Sequence, residues 1–130
     1  MSASAEVQAL LAQYFDTLYY CDLEKFDAIF HPLAIYTTAD ETPLLHRDMP
    51  CYREVLARRE PPAARKEPRR DLIDEIEFAG ENTALARVRC SFGGRDFIDL
   101  LTLVRSEGRW YIMAKIFHVI AANGETHALR

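Results

Sequence analysis

Asp99 and His118 are the side chains of this sequence best placed by type and spacing to do chemistry. A carboxylate and an imidazole on one apolar surface can act as a general base, or as a base and the partner that orients it. Burial raises the pKa of an aspartate and a nearby imidazolium lowers it, so such a pair is tunable. Asp74 offers a second carboxylate, giving acid and base roles if it faces the same way; outward placement near Arg87 or Arg89 is equally easy. Tyr14, Tyr36 and Tyr52 come from three separate segments. Each buries a ring and offers a hydroxyl that can donate to a ligand oxygen or simply be satisfied within a core. Trp110 adds a ligand-facing ring. His31, just before Pro32, is either a polar group at a pocket mouth or an imidazole that complements a helix C-terminus.

Two turns position the first pair. Gly93-Gly94 and Glu107-Gly108 each separate alternating runs, which is the signature of a two-residue hairpin. Closing the first turn on Phe92 and Arg95 pairs Val88 with Asp99. Closing the second on Ser106 and Arg109 pairs Leu103 with Ile112, Asp99 with Ile116 and Phe97 with His118. Alternation then puts Ala86, Val88, Cys90, Phe97, Asp99, Leu101, Leu103, Trp110, Ile112, Ala114, Ile116 and His118 on one face. Asp99 and His118 become diagonal neighbours there, and a one-residue slip would separate them. The other face carries Leu85, Arg87, Arg89, Ser91, Ile98, Leu100, Thr102, Val104, Tyr111, Met113, Lys115 and Phe117. It is too apolar to be left in water, so a second copy of the chain is expected to cover it.

The remaining elements follow from periodicity. Val7, Leu10, Leu11, Tyr14 and Leu18 predict an amphipathic helix over about Ser4 to Tyr20. Asp22 caps a second, short helix that stops near His31, because Pro32 disfavours helical angles at the residue before it. Ala34 to Thr38 is a short extended segment, and the stretch from Ala39 to Arg47 is a loop or minor hairpin. Asp48 with Met49-Pro50 starts a third helix. A proline- and charge-rich linker runs from Glu60 to Arg70. Leu72 to Phe78 is a strand with Leu72, Asp74, Ile76 and Phe78 inward. Helices segregated from a strand meander mean α+β. N-terminal helices across a strongly curved, mixed, mostly antiparallel sheet make a cone-shaped barrel with a ligand site at its mouth.

Composition narrows the function classes. The chain has 130 residues, enough for one domain over 1–130 that buries about two thirds of its unfolded surface. A net charge of −4 argues against nucleic acid, and the basic cluster Arg58 to Arg70 is broken by Glu60 and Glu67. Cys21, Cys51 and Cys90 suit neither a disulfide framework nor a metal site, and point to reduced thiols in the cytoplasm. His31, His46, His118 and His127 lack metal-ligand spacing, so no metal is expected. No apolar run approaches a membrane span, and no nucleotide or cofactor motif is present.

Tyr14-Phe15-Asp16-x-Leu18-Tyr19, then Asp22-x-Glu24 through Ile29-Phe30-His31-Pro32, Phe97-x-Asp99-x-Leu101-x-Leu103, and Gly108-Arg109-Trp110-x-Ile112-x-x-Lys115-x-Phe117-His118 form a pattern. It resembles the nuclear transport factor 2-like superfamily over nearly the whole chain. It is most similar to the bacterial branch labelled "putative lumazine-binding", alongside polyketide-cyclase-like members. The resemblance implies a cystatin-like α+β cone, usually dimeric through its open sheet face. Superfamily members include ketosteroid isomerases, polyketide cyclases, scytalone dehydratase and transport factors. It therefore implies a small apolar or aromatic ligand, and cofactor-independent proton transfer if a reaction occurs. The alternative is a non-catalytic dimerisation or protein-interaction module. A shared fold does not transfer a reaction.

Overall fold

The computed structural model describes residues 2–120. The first helix, α1 (Ala3–Tyr20), starts at Ser2, whose hydroxyl accepts from the Ala5 N–H at 3.1 Å, and ends at Cys21 in the left-handed region. Its apolar stripe buries Val7, Leu10, Leu11, Tyr14 and Phe15. Helix α2 (Leu23–Ile29) is capped by Asp22 on the Lys25 N–H, and α3 (Met49–Arg58) by Asp48 on the Cys51 N–H. Each cap satisfies a backbone donor that a helix start leaves unpaired.

Six strands form one sheet: β1 (Phe30–Thr38), β2 (Leu45–Asp48), β3 (Leu72–Phe78), β4 (Thr83–Phe92), β5 (Arg95–Ser106) and β6 (Arg109–Val119), in spatial order β2-β1-β6-β5-β4-β3. Among the described residues, only the β1–β6 pair is parallel. The sheet is therefore mixed and open at β2 and β3. This is the α+β fold expected, with the helices on the inner face of the sheet. Strand β1 is longer than expected, taking over directly where α2 stops at Ile29. The loop after it is a hairpin to β2. The charged linker holds a short 3-10 turn, Pro62–Arg65.

Both predicted turns form. Gly93, Gly94, Glu107 and Gly108 all have positive φ, as tight hairpin turns of matching twist require. The β4–β5 register is the expected one, with Val88 opposite Asp99. The β5–β6 register starts as expected, with Leu103 opposite Ile112, and then shifts. Thr102 faces Ala114, so Met113 is an extra residue in a β-bulge. Beyond it every β6 side chain changes face. Lys115, Phe117 and Val119 turn inward, while Ile116 and His118 turn outward.

Strand β3 carries a second irregularity between Ile73 and Glu75. Asp74 sits in it and faces out rather than in. Its carboxylate accepts from Arg89 Nε at 2.8 Å and Arg87 Nε at 3.3 Å. The hydrogen bond from Arg89, more than any other contact, holds the Asp74 carboxyl below its ordinary range.

Candidate functional site

The inner face of the sheet and the facing helices enclose a polar cluster. Asp99 on β5 is completely buried, as are Tyr14 on α1, Tyr36 on β1, Tyr52 on α3 and Lys115 on β6. The Tyr14 hydroxyl donates to Asp99 Oδ2 at 2.5 Å. The Cys90 thiol donates to the same oxygen at 3.4 Å. Lys115 Nζ donates to the Tyr52 hydroxyl at 2.9 Å. Four rings surround that nitrogen, with Tyr14 and Tyr52 centroids at 5.1 Å, Tyr36 at 5.7 Å and Phe117 at 5.8 Å.

Each position has a local cause. Tyr14 lies on the buried stripe of α1, one helical turn beyond Leu10 and Leu11. Tyr52 is on the inward side of α3, which Asp48 caps and Pro50 helps to start. The Gly93-Gly94 turn sets Asp99 opposite Val88. The Met113 bulge aims Lys115 inward opposite Leu101, while Asp99 lies opposite Phe117. Asp99 and Lys115 are therefore diagonal neighbours on one face, within reach of long side chains.

A charge taken out of water is costly unless hydrogen bonds or other charges replace its hydration. Here tyrosine hydroxyls and ring faces supply that replacement. The cluster can hold an acid and an amine in a dry site and present hydroxyl donors beside them.

The expected Asp99–His118 pair does not form. His118 is exposed on the opposite face, where its Nδ1 donates to Asp40 Oδ2 at 2.8 Å. The same carboxylate oxygen accepts from the Val119 N–H at 2.8 Å. The bulge exchanges His118 for Lys115 as the titratable partner facing Asp99. Strict alternation from the second turn missed that exchange. Its signal is the spacing of Trp110 and Ile112, then Lys115, Phe117 and Val119, which breaks parity after Ile112. Tyr14, Tyr36 and Tyr52 do converge: the Tyr36 and Tyr52 rings are 4.4 Å apart.

His31 and Trp110 lie elsewhere. His31 Nδ1 accepts from the Leu33 N–H at 3.1 Å, and its ring packs edge-on against the half-buried Tyr111. Trp110 is buried against Phe78, at the Arg105 end of β5 and about 20 Å along the strand from Asp99. It lines a cleft of ≈ 230 Å³ with Leu10, Gln13 and Ile29. His127 lies outside the described residues. Among the described residues, no group of three or more His, Cys, Asp or Glu side chains could hold a metal ion, and no helix is long and apolar enough to cross a membrane.

Two further clefts are lined by residues that touch the cluster. One of ≈ 340 Å³ lies between α2 and α3, lined by Phe26, Phe30, Pro32, Met49 and Pro50 and rimmed by Asp27 and Arg53. Phe26 and Phe30 pack on Tyr52, with centroids at 5.5 and 5.8 Å. The other, of ≈ 310 Å³, includes Cys90, Arg89 and Ile120.

Residues 2–118 match the model of the family described as "Putative lumazine-binding". No curated protein sequence matches the chain significantly. Among solved structures, the chain is similar to an NTF-2 like protein of unknown function from Silicibacter pomeroyi, with 22% identity and a TM-score of 0.78 over 92% of this chain and 100% of that one. It is similar to an NTF2-like protein of unknown function from Shewanella baltica, with 21% identity and a TM-score of 0.78 over 94% and 99%. A ketosteroid isomerase-like protein from Erwinia carotovora atroseptica matches at 14% identity and a TM-score of 0.70 over 91% and 96%. At these identities the likeness shows the fold alone.

Proposed function

Given that the chain belongs to the family described as "Putative lumazine-binding", we propose that it is one ligand-binding domain whose site is the interior around Tyr14, Asp99, Tyr52 and Lys115. The ligand is small, flat and largely apolar, with a polar edge turned toward Asp99 and Lys115. Lumazine, a flat bicycle with carbonyl groups on one ring, matches that shape and polar edge though it is more polar overall. The observation that carries the proposal is the hydrogen bond between the completely buried Tyr14 and Asp99. A carboxyl group and an amine inside one core cost solvation that apolar side chains of similar size would avoid. Where a bound molecule reacts, Asp99 is the group that moves its proton, with Tyr14 as hydroxyl donor and no cofactor. Isomerisation, dehydration and cyclisation are the reaction classes this suits.

Equilibrium dialysis of lumazine tests the site, together with mass spectrometry of small molecules released on denaturing natively purified protein. Saturable binding to the wild type that falls at least about tenfold in Asp99→Asn is the expected result; tenfold corresponds to about 1.4 kcal/mol, the scale of one hydrogen bond. No released molecule and no saturable binding would overturn it.

A second proposal concerns the outer face of the sheet. Leu85, Leu100 and Ile116 are each about two-fifths exposed there (40%, 39% and 38%). Their clustering supports a homodimer closed across this face. Among the described residues no disulfide joins Cys21, Cys51 or Cys90, which suits a reducing, cytoplasmic setting.

A further inference from the structure

Taking the interior as the ligand site proposed above, we propose that Lys115 is a nucleophile that joins carbonyl-bearing ligands covalently as an imine. The chain has three lysines, and Lys25 and Lys66 lie at the surface or partly so, whereas Lys115 is completely buried. It is turned inward by a β-bulge at Met113, a feature that re-aims side chains beside functional sites. An unprotonated amine is the attacking form in such a step. The Tyr52 hydroxyl, 2.9 Å from Nζ, is placed to carry protons between nitrogen and oxygen. The cleft between α2 and α3 is lined by Phe26 and Phe30, the two rings that pack on Tyr52, and offers a flat apolar aldehyde a place against them.

The step balances without a co-reactant. The Nζ lone pair forms a bond to the carbonyl carbon, and the carbonyl π pair moves onto oxygen. A nitrogen proton passes to that oxygen through the Tyr52 hydroxyl. The second nitrogen proton then leaves by the same route, the nitrogen pair closes the C=N bond, and the oxygen departs as water. Amine and carbonyl are converted to imine and water, with nothing oxidised or reduced. Asp99 and Tyr14, on the other side of Lys115, face the polar substituents of the bound molecule.

Trapping tests this directly. The full chain is incubated with benzaldehyde, reduced with sodium borohydride and mapped by mass spectrometry at Lys25, Lys66, Lys115 and the N-terminal amine. The expected result is a benzyl group on Lys115 at least about tenfold faster than on the other amines, as an oriented, activated nucleophile gives. Lys115→Arg abolishes it. Tyr52→Phe, which keeps the ring, slows it by about a hundredfold. Modification of Lys25 and Lys66 with Lys115 untouched would overturn the proposal. Dialysis of benzyl alcohol, which has no carbonyl, separates the two failures. If it binds saturably while benzaldehyde is not trapped, the imine is wrong and the ligand site stands; if neither engages the interior, both fall. Should Lys115→Arg fail to fold by circular dichroism, the wild-type map and Tyr52→Phe decide the matter.

Discussion

The Tyr14 hydroxyl donates to Asp99 at 2.5 Å across a sequence separation of 85 residues, and neither side chain meets solvent. One hydrogen bond thus joins the first helix to the middle of the sheet. Tyr14→Phe leaves the ring packing intact and takes one donor from a buried carboxyl group. We expect a loss of about 1–3 kcal/mol in urea unfolding with an unchanged m-value. Tyr111→Phe, at the half-buried outer surface, should cost much less in the same measurement.

The Met113 bulge predicts a labelling pattern. Sulfo-NHS-acetate is charged and confined to water. It should acetylate Lys66 and Lys25 in the native protein and spare Lys115 until denaturant is added, while diethyl pyrocarbonate should modify His118 readily. Mass spectrometry reads both. A native Lys115 that reacts as fast as Lys66 would contradict the register.

Asp27 and Arg53 make a two-pronged ion pair, with Nε to Oδ1 at 2.8 Å and Nη2 to Oδ2 at 2.9 Å. The hydrogen bond from Arg53 lowers the Asp27 pKa. A carboxylate with a depressed folded-state pKa stabilises the protein above its unfolded value, about 3.9, and loses that contribution as pH falls through the folded value. Asp27→Asn should therefore lower Tm slightly at pH 7, with the difference from wild type closing in acid below that range. Thermal melts from pH 7 to pH 2 would show it, and a difference that widened in acid would refute it.

The outer sheet face predicts a dimer that one charge disrupts. Leu100→Arg should shift the protein from dimer to monomer in sedimentation velocity at micromolar concentration, with its far-UV circular dichroism retained. A wild-type monomer under the same conditions would remove the basis for a covered face.

Much of this arrangement was legible in the residues. The Gly93-Gly94 turn set the β4–β5 register, so Asp99 was placed inward correctly. The stripe Val7-Leu10-Leu11-Tyr14 placed Tyr14 against it. His118 and Lys115 exchanged roles because period-two counting assumes an uninterrupted ladder, and one extra residue reverses every side chain after it. The exchange buries Phe117, a large ring, in place of Ile116, and leaves an imidazole in water. Asp74 was misplaced for the same kind of reason, at the β3 irregularity, where Arg87 and Arg89 offered a charged partner outside. Local turn chemistry is written in a few residues. Bulges are settled by what the whole core gains, so short-range spacing registers them only as a broken beat.

The parallel pairing of β1 with β6 bears on synthesis. The three helices and β1 leave the ribosome well before β6, the strand that β1 needs on its inner side. Until then the greasy side of α1 has no sheet beneath it, while β3, β4 and β5 can pair among themselves as they emerge. A nascent chain paused ahead of Arg109 should therefore recruit holding chaperones, and release them once the stretch through Val119 is free of the exit tunnel.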